Sequence, residues 1–116
     1  MTDITIFHNP HCTKSRATLS LINIQKNNVT VIEYLKSPPT KKQLQQIIGL
    51  LGYNSAHQLI RTKEDIYKAL ALTPTMDENT LLNAMLNNPM LIERPIVLAN
   101  NKARIGRPPE SVLEII

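Results

Sequence analysis

The sequence predicts a mixed α/β fold: a four-stranded sheet flanked by helices, with a helical insert between a βαβ half and a ββα half. Three observations predict it. Two short β-branched runs, Ile4-Thr5-Ile6-Phe7 and Val29-Thr30-Val31-Ile32-Glu33-Tyr34, bracket a helical stretch. Together they fill about 30 residues, the size of a βαβ unit with parallel strands. Three helical patterns then follow with no strand between them. Finally, the runs 95–99 and 102–105 flank Asn100-Asn101, a two-residue turn that tolerates positive φ, so they should return as an antiparallel hairpin ahead of a last helix. At 116 residues the chain fits one domain, residues 1–116, with room for a hydrophobic core.

Each element has its own local warrant. The first strand alternates apolar and polar positions. The helix after Cys12 repeats Ala17, Leu21 and Ile24 at i, i+4 and i+7, which predicts that this face is buried. Asn27-Asn28 should break it. After Ser37-Pro38-Pro39, Thr40 and Gln43 have the spacing of a capping box, in which each side chain satisfies a backbone N–H of the other. The helix they open carries Leu44, Ile47, Ile48 and Leu51 as an apolar stripe, and Gly52 suits the left-handed position after it. A short helix over 63–70 is expected with Thr62 as its cap. A second capping box, Thr75 to Glu78, should open a helix with Leu81, Leu82, Met85 and Leu86 inward, ended by Asn88-Pro89. Pro109 fits the first turn of the last helix, whose apolar residues are Val112, Leu113 and Ile116.

Composition removes several classes of function. Hydrophobic residues make up 42%, which fits a folded domain rather than disorder. Aromatics are 3% with no tryptophan, too few for the stacking platforms that bind single-stranded nucleic acid. The formal charge of +4 is dispersed, with no basic block longer than Lys41-Lys42. That argues against a nucleic-acid-binding arm and for attraction of small anions. A lone cysteine excludes an internal disulfide, and one cysteine with three histidines at these spacings offers no metal site. Neither a signal peptide nor a membrane-length apolar run is visible. A reducing cytoplasm is the expected compartment.

The chemistry concentrates in His8-Asn9-Pro10-His11-Cys12-Thr13-Lys14-Ser15-Arg16. This stretch leaves a strand and opens a helix, and a helix N-terminus presents unsatisfied N–H groups that favour negative charge. A thiol placed there should ionise more readily than a free one, and the thiolate is the nucleophile. A lone cysteine is more often a small buried hydrophobe, but polar neighbours weigh against that here. His8 could favour the thiolate from the strand end, or simply close the strand at the surface. Ser15 makes the motif C-x-x-S, so a disulfide formed by Cys12 must be resolved by an outside thiol. Ser15 is also an ordinary residue for a first helical turn. Arg16, a cation near the positive end of a helix, hints at a bound anion. The Cys-x5-Arg loop of a phosphatase is absent, because Thr18 stands at the arginine position. Arg61, Arg94 and Arg107 lie beside turns or strand ends; converging, they could grip an oxyanion in bidentate fashion.

Four segments in order carry a resemblance: His8-Asn9-Pro10-x-Cys12-x-x-Ser15-Arg16, Leu59-Ile60-Arg61, Ile92-Glu93-Arg94-Pro95-Ile96-Val97, and Arg107-Pro108-Pro109-Glu110-Ser111-Val112-Leu113-Glu114-Ile115. With them the chain resembles the glutaredoxin-coupled arsenate reductase family, although Thr13 stands where members often have glycine. The resemblance implies a thioredoxin-like fold and a cis peptide bond before Pro95. It implies Cys12 as nucleophile with His8 lowering its pKa, Arg61, Arg94 and Arg107 around the oxyanion, and Asn9, Ser15, Arg16 and Pro95 in support. It further implies arsenate as substrate, glutathione as co-substrate, glutaredoxin as partner and no bound cofactor or metal. A monomer without nucleic-acid or membrane partners is expected. Two other readings share the fold: a general glutathione-dependent thiol reductase, and a non-enzymatic regulator similar to the Spx proteins, which bind RNA polymerase. Ser15 in place of a second cysteine rules out the disulfide switch typical of the latter.

Overall fold

The computed structural model describes residues 2–24 and 28–116 in two compact units, one built from Met1–Ser37 and Arg94–Ile116, the other from Pro38–Glu93. The first unit holds a four-stranded sheet of order β2-β1-β3-β4. Strand β1 (Asp3–His8) pairs in parallel with β2 (Asn28–Glu33), setting Ile4 beside Val29 and His8 beside Glu33. Helix α1 (Thr13–Ile24) makes the crossover. On its other edge β1 pairs antiparallel with β3 (Ile96–Ala99), which turns through Asn100 (φ 53°) and Asn101 (φ 60°) into β4 (Lys102–Ile105). The predicted turn is therefore present, with both asparagines left-handed. The fold is the mixed α/β sheet flanked by helices that the sequence predicts.

Strand alternation places Ile4, Ile6, Val97 and Ala99 in one buried cluster, closed by Ile22 of α1 and by Val112 and Ile115 of the last segment. That segment, Pro109–Glu114, is a 3-10 helix rather than an α-helix. Its three-residue period puts Val112 and Ile115 on one side, with Ile116 packed against the same cluster, and leaves Leu113 exposed.

The buried face of α1 also differs from the expected one. Ser15, Thr18 and Ile22 face inward, whereas Ala17 is exposed and Ile24 is 73% exposed. The two inward polar side chains have partners: Thr18 Oγ1 donates to the Lys14 carbonyl (2.8 Å), and Ser15 Oγ is bonded by the turn preceding the helix. A buried hydroxyl that is hydrogen-bonded carries little penalty, so the helix can turn a polar seam inward where close approach demands small side chains. Thr18 faces Gly106, whose missing Cβ leaves room for it. The expected helix stop at Asn27-Asn28 falls half outside the described residues; Asn28 begins β2.

The second unit is helical. Thr40 and Gln43 form the reciprocal capping box at α2 (Lys41–Leu50), with Gln43 N donating to Thr40 Oγ1 (3.2 Å) and Thr40 N to Gln43 Oε1 (2.9 Å). Leu44 and Ile47 are buried, and Gly52 takes φ 77° after the helix. A 3-10 turn, Ala56–Leu59, comes next, capped by Ser55. Helix α3 is only Asp65–Ala69, and its cap is Glu64, without a side-chain capping bond, rather than Thr62. Helix α4 (Glu78–Asn87) is capped by Asp77, which accepts from Thr80 N at 2.7 Å. Thr75 is not the cap, because Glu78 turns its carboxylate away to accept from Ala56 N (2.8 Å) and cannot close the expected box. Leu81, Leu82 and Met85 are buried as predicted, and Leu86 is half-buried. A short 3-10 turn, Pro89–Leu91, follows Asn88.

Candidate active site

The turn between β1 and α1 is fixed by its own backbone. Cys12 N donates to Asn9 O (3.0 Å), His11 N to Asn9 Oδ1 (3.0 Å), and the Cys12 carbonyl accepts the first helical bond from Arg16 N (3.0 Å). Asn9 thus folds the chain back so that Cys12 sits at the helix start, the residue 9% exposed. Ser15, fully buried, reaches back into the turn. Its Oγ accepts from Asn9 N (3.0 Å) and lies 2.7 Å from His8 Nδ1. With one lone pair taken by Asn9, the Ser15 proton is well placed to go to Nδ1. In the tautomer that accepts this proton, the His8 hydrogen sits on Nε2. Burial pushes the His8 pKa below its ordinary value, the Glu33 carboxylate works against this, and Arg16 adds to it. The imidazole is therefore held toward its neutral form, and its Nδ1 is bonded to Ser15 rather than to the sulfur.

The cation at the sulfur is an arginine from the other end of the unit. Arg107 Nη2 donates toward Cys12 Sγ at 3.9 Å, while its Nε donates to the Arg94 carbonyl at 2.9 Å. Arg94 and Arg107 are thereby joined directly, at the two chain ends that flank the β3–β4 hairpin. Gly106 N donates to Pro95 O (2.9 Å), and the Arg94-Pro95 bond is cis as expected. The Arg107-Pro108 bond is cis too, which the sequence did not indicate.

Comparison with known proteins identifies the family. The model of the ArsC family matches residues 7–115. The chain belongs to the ArsC family. Uncharacterized protein YfgD of Escherichia coli (strain K12) is 50% identical to it over 97% of this chain and 96% of its own. The arsenate reductase of Neisseria meningitidis serogroup A is 46% identical, with both chains fully covered. Among solved structures, the arsenate reductase from Vibrio cholerae superposes with a TM-score of 0.95 at 44% identity, covering 99% of this chain and 98% of that one. The family lies in the thioredoxin-like superfamily.

Within the first unit, then, this ArsC-family chain brings together the side chains of Cys12, His8, Asn9, Ser15 and Arg107 with the backbone of Arg94 and Pro95. Arg16 is exposed in the first turn of α1 and acts on His8 at a distance. Arg61 belongs to the second unit, where its Nε meets Glu64 Oε1 (3.2 Å) and its Nη1 meets Glu93 Oε1 (3.4 Å). Its backbone is held as well: Arg61 N donates to Leu91 O (2.7 Å), beside an antiparallel bridge between Ile60 and Ile92. The two acids were not singled out from the sequence. Glu64 could have been, since it lies three residues from Arg61. Glu93 could not, since its pairing depends on the bridge.

Also missed were Glu33, Leu35 and Lys36. With His8, Pro10 and His11 they line a cavity of about 460 Å³. The signal was available in principle, because a parallel β1–β2 pair must carry the end of β2 to the end of β1, next to the reactive turn. Among the described residues no three His, Cys, Asp or Glu side chains gather as a metal site requires, and no helix is long and apolar enough to cross a membrane.

Proposed function

We propose that this chain is an arsenate reductase that works through a covalent Cys12–arsenic intermediate and is regenerated by glutathione and glutaredoxin. The observation that carries this reading is the Arg107 guanidinium 3.9 Å from the only cysteine sulfur, braced by the Arg94 carbonyl. The arsenate reductases at 46% and 44% identity support the same substrate.

The chemistry runs in three steps. The Cys12 thiolate attacks arsenic(V); an S–As bond forms and one oxygen leaves as water. Arg107 and Arg94 offset the negative charge of the adduct, a role suited to planar guanidinium groups. A glutathione thiolate then attacks the Cys12 sulfur. An S–S bond forms, and the electron pair of the S–As bond stays on arsenic, which departs as arsenite in the trivalent state. Glutaredoxin attacks the glutathione sulfur of the mixed disulfide and returns Cys12 to its starting state. Two thiols are oxidised to one disulfide as arsenic gains two electrons. The lone cysteine fits this route, because the chain has no second thiol with which to resolve itself.

His8, neutral and tied to Ser15, supplies an Nε2–H donor rather than a permanent cation. Arg61 is carried as a third anion ligand by the Leu59-Ile60-Arg61 motif. No bound cofactor is needed, and we place the protein in a reducing cytoplasm as a monomer. The test is arsenite release from arsenate with glutathione, glutaredoxin and glutathione reductase. Cys12→Ser should lose turnover on the order of 10³-fold or more. Arg94→Ala or Arg61→Ala should raise the arsenate KM ~10–100-fold, the worth of one charge-assisted contact. Reduction of a general disulfide without arsenite formation would make the protein a thiol reductase instead.

A further inference from the structure

The cavity beside His8 is separate from the arginine pair. Its walls are His8, Pro10, His11, Glu33, Leu35 and Lys36, and neither Arg94 nor Arg107 contributes to it. We propose that this cavity seats the reducing co-substrate, a small peptide thiol carrying both carboxylate and ammonium groups, of which glutathione is the type. The inference rests on the external-thiol step of the proposed reaction.

Position is the first argument. A chain with one cysteine needs an incoming thiol to reach Cys12 from a place the oxyanion does not occupy. Pro10 and His11 are wall residues of the cavity and immediately precede Cys12 in the same hydrogen-bonded turn. Size is the second. At about 460 Å³ the cavity falls in the ~300–1,000 Å³ range of small-ligand sites.

Chemistry is the third. Pro10 and the 42%-exposed Leu35 offer apolar surface to methylene groups. Lys36 and Glu33 offer one cation and one anion, matching a zwitterion. At present they face each other at 3.7 Å, with side chains 79% and 44% exposed. Such an exposed pair contributes little, so exchanging it for two ligand contacts costs little. His8 completes the set. With Nδ1 bonded to Ser15 Oγ, its remaining polar ring atom is Nε2, which in the tautomer accepting the Ser15 proton is a neutral donor for a sulfur anion or a carboxylate. In the step served here, the bound thiolate attacks the Cys12 sulfur, the S–S bond forms, and the S–As pair remains on arsenic.

The experiment titrates ¹⁵N-labelled protein with S-methylglutathione, which has the shape and charges of glutathione but no free thiol. Saturable amide shifts should centre on His11, Glu33, Leu35 and Lys36. Lys36→Glu should weaken that binding about fivefold or more, and raise the glutathione KM by the same factor while the arsenate KM stays put. Shifts centred on Arg94 and Arg107, no saturable shifts, or an unchanged glutathione KM in Lys36→Glu would overturn the assignment. The two readings fail separately. Binding at the cavity without arsenate turnover would remove the arsenate reductase and keep the thiol seat; turnover indifferent to Lys36 would do the reverse.

Discussion

Replacing Gly106 with alanine tests how tightly the first unit is packed behind its reactive turn. A Cβ at this position would lie 2.7 Å from Pro95 Cγ and 3.1 Å from Thr18 Cγ2, and closer still to Thr18 Oγ1. Carbon atoms in contact prefer about 3.5–4.0 Å, so the overlap approaches 1 Å. Neither neighbour is a flexible chain end. Pro95 is a ring between Arg94 and the start of β3, and Thr18 is fully buried with Oγ1 bonded to the Lys14 carbonyl. The φ of Gly106 lies outside the left-handed range, so the penalty is one of space alone. Overpacking of this kind costs about 1–3 kcal/mol, and two stiff neighbours put the expected value at about 2–3 kcal/mol. For a chain this long that is a fall in Tm of roughly 8–12 °C. Thermal and urea unfolding would measure it. In a Thr18→Ala background, where two of the three crowding atoms are gone, the same substitution should cost at least about 1 kcal/mol less. A Gly106→Ala protein that melts within about 2 °C of wild type, or an equal cost in both backgrounds, would refute the packing argument.

Two further expectations concern the same unit. Ser15→Ala removes the acceptor for Asn9 N and the partner of His8 Nδ1, leaving two polar groups unsatisfied near the reactive turn. It should lower stability by about 1–3 kcal/mol in urea unfolding and shift the pH profile of turnover, and wild-type values in both would remove Ser15 from this role. The second concerns acid. Because burial lowers the His8 pKa below 6.5, the unfolded chain binds this proton first as pH falls. His8 should therefore cost no stability above pH 6.5, and stability should be lost as pH drops from 6.5 toward the folded pKa. Comparing Tm from pH 7.5 to 5.5 in wild type and His8→Gln checks this; identical slopes would contradict it.

What the sequence revealed, and what it hid, follows from how local each signal is. The capping box of Thr40 and Gln43 and the Asn100-Asn101 turn are complete within a few residues, and both appear as expected. The strand alternation of Ile4 and Ile6 likewise forecasts the buried face of β1. Counting apolar residues misplaced the inner face of α1 because its seam is Ser15 and Thr18, chosen for size and hydrogen bonding. The cap of α4 moved from Thr75 to Asp77 because Glu78 answers a backbone group 22 residues away. Contacts of still longer range were legible only through family likeness: Arg107 and Cys12 are 95 residues apart, and no periodicity joins them. The Glu93 carboxylate on Arg61 was hidden for the same reason, since a two-residue bridge creates that pairing, and the cavity wall from β2 emerges only from the strand register.

The single sulfur at the head of α1 has a practical consequence. The natural sequence is already a one-label protein. A thiol-directed dye or spin probe attaches at one address and nowhere else, without prior mutagenesis. Its rate of attachment gauges how readily the turn admits a visitor, and its mass or fluorescence then reports on the chemistry of that address alone.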